Sequence, residues 1–112
     1  MIEKIIFDYL NSLDGVKAYT EIPANFTGNC YLIEKTGDRR LNHINTATIA
    51  IQSYGETLYD AMLLNDALKD IMLDGLIQLE SVSGVKLNSD YNYTDTTTKR
   101  YRYQAVYVVT YY

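Results

Sequence analysis

The last twelve residues restrict the fold more than any other stretch. From Tyr101 to Tyr112 the side chains alternate. Tyr101, Tyr103, Ala105, Tyr107, Val109 and Tyr111 share one face, and Arg102, Gln104, Val106, Val108 and Thr110 share the other. A period of two is that of a β-strand. Val106 and Val108 are apolar too, so both faces are expected to be partly covered, one by helices and the other by another subunit. Ile44 to Tyr54 alternates in the same way, with Ala47, Ile49 and Ile51 opposed to Thr46, Thr48 and Gln52. Between these strands the period changes. Leu58, Ala61, Leu64, Leu68, Ile71 and Met72 form a helical stripe, widened by Met62 and Leu63. Two pairs, Ser53 with Glu56 and Thr57 with Asp60, have capping-box spacing, and the sequence does not choose between them. Gly75 is the expected stop.

Upstream, Ile2, Ile5, Ile6, Tyr9, Leu10 and Leu13 recur at helical spacing, with Gly15 as terminator. Val16 to Pro23 reads as a strand or extended arm, because the residue before a proline avoids the helical region. Cys30 to Lys35 reads as a strand, and Thr36 to Asn42 as a turn or a longer projecting loop carrying Arg39 and Arg40. It is expected to pair with Ile44 to Tyr54 as an antiparallel hairpin. Val85, Leu87, Tyr91 and Tyr93 are expected on one face of a further strand, opposite Lys86, Asn88, Asp90 and Asn92. The expected fold is α+β: an antiparallel sheet of about four to five strands, with an N-terminal helix and a long central helix on one face. Residues 1–112 are read as one domain.

Composition narrows function mainly by exclusion. A hydrophobic share of 47% with 21% charged residues argues against disorder. No apolar run approaches the roughly 18 residues of a membrane span. Met1-Ile2-Glu3-Lys4 lacks the basic segment of a secretory signal. A single cysteine forms no internal disulfide and fits a reducing compartment. Cys30 and His43 would be the nucleophile and base of any enzyme, but Cys30 reads as a buried strand residue and His43 as a loop neighbour. One His and one Cys do not complete a zinc shell, and the acids are too dispersed for a calcium loop. Ser53-Tyr54-Gly55-Glu56 has one glycine and an acid where a phosphate loop needs several glycines. No cofactor is expected.

Charge is unevenly laid out on a chain of net charge −4. Glu56 to Glu80 holds six acids, among them Asp60, Asp66, Asp70 and Asp74, against Lys69 alone. Thr96 to Tyr112 holds Lys99, Arg100 and Arg102 and no acid. Arginines interleaved with Tyr101 and Tyr103 would suit single-stranded nucleic acid, but the acidic chain disfavours it. Bridges between subunits suit these arginines better. There are 12 tyrosines against 2 phenylalanines and no tryptophan, a choice that suits surfaces destined for contact.

In its order of elements the chain resembles the small tail-terminator and tail-completion (head–tail joining) proteins of long-tailed bacteriophages. The resemblance spans nearly the whole chain. It rests on the start Ile5-Ile6-Phe7-Asp8-Tyr9-Leu10, the arm with Glu21-Ile22-Pro23, the hairpin ending Ile51-Gln52-Ser53-Tyr54-Gly55 as the long helix opens, and the tyrosine-rich last strand entered through Arg100-Tyr101-Arg102-Tyr103-Gln104. The hairpin's Gly37-Asp38-Arg39-Arg40 is less glycine-rich than relatives often are. The resemblance implies a non-enzymatic virion protein made in the host cytoplasm. It implies a ring, commonly a hexamer, on the head-proximal end of the tail tube, touching tube and head–tail connector while DNA passes through without specific binding. No membrane partner is implied. Interface candidates are Arg39, Arg40, Arg100, Tyr101, Arg102 and Tyr103. Asp60, Asp66, Asp70 and Asp74 either face the lumen or a neighbour, or serve as outer solubilising charges.

Overall fold

The apolar stripes meet in one core between a helical layer and one face of a sheet. A computed structural model describes residues 1–98 and 100–112. Helix α1 spans Ile2–Ser12 and buries Ile2, Ile6 and Leu10. Strands β1 (Ala18–Tyr19), β2 (Cys30–Leu41) and β3 (Ile44–Gly55) follow, then helix α2 (Leu58–Asp70). β4 (Val82–Asn92) and β5 (Tyr101–Tyr111) complete a five-stranded sheet of order β1-β2-β3-β5-β4. The pairing is antiparallel except for the two-residue β1, which runs parallel to β2 at the edge. The expected α+β architecture, with both helices on one face, is thus present. Ile33, Ala47, Ile49, Ile51, Tyr107 and Val109 meet Leu68 and Met72 of the helical layer. Among the described residues no helix is long and apolar enough to cross a membrane.

Thr57 caps α2: its side chain accepts from the Asp60 N–H at 3.1 Å. Ser53 lies instead in β3, fully buried, with its hydroxyl unpartnered. Gly75 does not stop the helix. The chain passes through a π-helical turn (Ile71–Gly75) into a 3-10 turn (Leu76–Gln78). A Cβ there would collide with the Tyr9 hydroxyl of α1, so a side chain at this position would push the Tyr9 ring aside. Leu64 and Ile71 are half-buried, whereas Met62 and Leu63, read as widening the buried stripe, face solvent.

Three β-bulges interrupt the sheet and redistribute side chains. The register shifts between Lys35 and Gly37, and pairing with β3 then continues to Leu41 opposite Ile44. The expected loop over Thr36 to Asn42 is therefore mostly strand. The turn is only Asn42-His43, both at positive φ (52° and 65°), the backbone of a tight type I′ hairpin. β4 shifts twice against β5, between Val82 and Gly84 and again between Leu87 and Ser89. Val85 and Leu87 oppose Val109 and Tyr107 on the helix side, but beyond the bulge Tyr91 opposes Gln104 on the outer face. The expected sharing of one face by Leu87 and Tyr91 fails for that reason, and Asp90 turns toward α2 instead.

Candidate functional site

Cys30 and His43 cannot act together. Cys30 begins β2 and His43 sits in the turn after its end, about 36 Å away at the rise of a strand. Cys30 is fully buried, and burial pushes its thiol up to about 11, Arg100 pulling weakly the other way. No group of three or more His, Cys, Asp or Glu lies together as a metal site among the described residues.

What the fold assembles is a set of surfaces. The first is an arginine–tyrosine cluster at one end of the outer sheet face. Arg102 on β5 donates from Nη1 to the Tyr54 hydroxyl at 2.8 Å and from Nε to the Tyr93 carbonyl at 2.7 Å. Its guanidinium lies 4.6 Å from the Tyr93 ring centre and 5.7 Å from that of Tyr54. Arg100 lies 5.0 Å from the Tyr54 ring centre. The Tyr54 hydroxyl in turn donates to Gln52 Oε1 at 2.9 Å, and the Gln52 amide donates to Gln104 at 3.0 Å. The Gln104 amide donates to the Tyr91 hydroxyl, which closes the chain, and Tyr91 meets Tyr93 edge-on at 5.8 Å. Strand alternation splits the Arg-Tyr run, since Tyr101 and Tyr103 stand on the opposite face of β5. The arginines' aromatic partners are Tyr54 and Tyr93, which the sequence left unassigned because the bulge in β4 and the β3–β5 pairing bring them there. Lys99 lies outside the described residues. A cleft of about 240 Å³ adjoins the cluster, bounded by Phe26, Gly28, Glu56, Arg100 and Tyr101.

The second surface is the solvent side of α2. Asp66, Asp70 and Asp74 are exposed at spacings of four, on one side of the helical segment, and Asp60 is half-buried in the first turn. Tyr59 (65% exposed) and Leu63 (51%) stand among the carboxylates with Met62. Beside this face, between α2 and β4, is a cleft of about 270 Å³ lined by Met62, Leu63, Asn65, Asp66, Lys69, Asp90 and Tyr103. Lys69 donates to Asp90 at 2.6 Å and the Asn65 amide donates to the same oxygen at 3.0 Å. The Lys69 hydrogen bond, with help from Asn65, holds the Asp90 carboxyl below the usual carboxylate range.

The third surface is the hairpin tip. Arg39 and Arg40 lie in β2 rather than on a loop, and they point to opposite faces because they are consecutive in a strand. Arg39 shares the outer face with Leu41 and Ile44, which are 58% and 52% exposed. Arg40 stands on the helix side. Among the described residues the ion pairs are made by Lys4, Lys35 and Lys69, and none by an arginine. Along the outer face the tip and the Arg102 cluster are separated by eight residues of β3, about 26 Å, bearing Thr48 and Ala50 with Val106 and Val108 beside them. Between them the outer face carries one cation, Lys86 opposite Val108, and one acid, Glu34 opposite Ala50, so among the described residues the arginines form two islands.

No protein-family model and no curated protein matches this sequence.

Proposed function

We propose that the chain is a structural tail-terminator or tail-completion protein of a long-tailed phage, closing into a ring that ends tube growth and joins tail to head. One observation carries this reading beyond the resemblance. Acidic and apolar groups collect on the helical layer, whereas the arginines, free of carboxylate partners among the described residues, sit on the hairpin tip and the outer sheet face. A surface that complements a different part of the same surface makes head-to-tail contacts, which close into a ring when the rotation from copy to copy returns on itself. Tyrosines and apolar residues at these places supply contact area at small entropic cost. A lumen lined by carboxylates would let DNA slide by repelling phosphate, and Asp70 and Asp74 are exposed and one helical turn apart, as such a lining needs.

The test is assembly. Purified chain added to polymerising tail-tube protein is expected to arrest growth at defined lengths, and loss of its gene to give overlong or headless tails. Normal tails in its absence would refute the reading. The Arg102, Tyr91 and Tyr93 cluster favours a second reading, a single-strand nucleic-acid binder that stacks bases on tyrosine. That reading requires binding that persists at moderate salt.

A further inference from the structure

The hairpin tip and the cleft beside α2 are complementary in shape, charge and hydrogen bonding. The tip is a narrow knob. Leu41 and Ile44 face one another across its end, exposed, with Arg39 on the same face and Arg40 on the other. Its two-residue turn leaves little loop to order on docking, which keeps the entropic cost of association low. The cleft is concave, with Met62 and Leu63 as its apolar wall; its one cation, Lys69, is paired with Asp90, and Asp66 stands as an exposed carboxylate. Asn65 on its wall is 3% exposed. The Asn65 amide is committed to Asp90, but its Oδ1 accepts no hydrogen bond. A buried acceptor without a donor is costly, and an arginine fork supplies donors that satisfy an amide oxygen and a carboxylate together.

A single molecule cannot make this contact with itself. Ile44 lies nine strand residues from Ser53, which pairs with the cleft residue Tyr103, so tip and cleft are about 30 Å apart. We infer that the hairpin tip of one copy, led by Leu41, Ile44 and Arg39, seats in the Leu63–Asn65–Asp66 cleft of the next copy. This assigns the head-to-tail contact of the ring and rests on the ring-forming reading above. Tip and cleft are different patches, so every bound copy presents one free tip and one free cleft, and the assembly grows until it closes.

Two variants test it, with mass measured by light scattering across a concentration series and folding checked by thermal melting. Arg39→Ala/Leu41→Ser removes the knob, and Leu63→Arg blocks the cleft. All three positions are exposed, so both variants are expected to melt like the parent. The parent chain is expected to form a discrete oligomer, and each variant alone a monomer. Mixed one to one, the variants are expected to yield a dimer and nothing larger, because one native tip and one native cleft remain per pair. Three outcomes overturn the inference: a parent chain monomeric at every concentration, an oligomer unchanged in either variant, or a mixture that stays monomeric. An oligomer indifferent to both variants, or tube arrest by a monomeric chain, would remove this contact while leaving the tail-terminator reading intact. Unaltered tube growth beside the expected dimer would do the reverse.

Discussion

Arg102 and Tyr54 face each other across the β3–β5 pairing, and the guanidinium donates to a hydroxyl whose residue is only 7% exposed. The bond belongs to a relay running from Arg102 through Tyr54 and Gln52 to Gln104. Removing Arg102 strips the Tyr54 oxygen of its donor and the Tyr93 ring of its cation, while Arg100 stays 5.0 Å from the Tyr54 ring centre. Arg102→Ala is expected to cost about 1–3 kcal/mol in urea denaturation. Arg102→Lys should recover only part, because an ammonium does not reach Tyr54 and the Tyr93 carbonyl with the same fork. A double-mutant cycle with Tyr54→Phe should show coupling on the order of 1 kcal/mol.

Gly55 ends β3 with the first turn of α2 on top of it. A Cβ there would lie 2.8 Å from the Thr57 carbonyl oxygen and 2.9 Å from the Asp60 carbonyl carbon, and would clash with the Ala61 nitrogen. These are backbone atoms and cannot swing aside. Gly55→Ala should cost about 1–3 kcal/mol by forcing a backbone shift. Gly15→Ala is the control: a Cβ there meets nothing within 4 Å, and a change within about 0.5 kcal/mol is expected in the same melt.

The two capping-box pairs are now distinguishable. Thr57→Ala should cost about 1 kcal/mol, since Thr57 holds the Asp60 N–H. Ser53→Ala removes a buried hydroxyl that has no partner and should be neutral or slightly stabilising. Equal losses from both substitutions, measured by chemical denaturation, would contradict the structure.

Asp90 should make stability depend on acid. Its folded pKa is depressed, chiefly by the Lys69 hydrogen bond, so its contribution is complete above the unfolded carboxylate value of about 3.9 and is lost as pH falls through the folded value. Asp95 adds an effect of the same sign, through the N–H of Thr97. Asp90→Asn should therefore flatten, but not abolish, the fall in thermal midpoint below about pH 4.

The Cys30 thiol should be inert in the folded protein. It is fully buried, and its ionisation is pushed up to about 11 by that burial, so little thiolate is present at pH 8. Alkylation by iodoacetamide is expected to be slow in buffer and rapid in denaturant, as followed by intact mass.

Periodicity alone located the elements. The helices beginning at Ile2 and Leu58 and the strands over Ile44–Gly55 and Tyr101–Tyr111 fall where the 3.6 and 2.0 repeats put them, because an apolar stripe must find a core wherever it lies. The candidate site was less legible. Arg102, Arg39 and the α2 aspartates stood out by residue type, but their neighbours did not. Tyr54 reaches Arg102 from β3, 48 residues away in the chain, and Tyr93 from just beyond the end of β4. Met62 and Leu63 look like core in a helical stripe, and only the placement of α2 on the sheet leaves them outside.

Local repeats and composition are enough for the α+β class, the core face of β3 and β5 and the segregation of charge. Tertiary structure alone decided which way Tyr91 and Asp90 point, because the bulge after Leu87 inverts alternation without marking the sequence. It also decided that Arg39 and Arg40 belong to a strand, because pairing with β3 supplies backbone hydrogen bonds that a turn-like run of Gly37-Asp38 does not foretell.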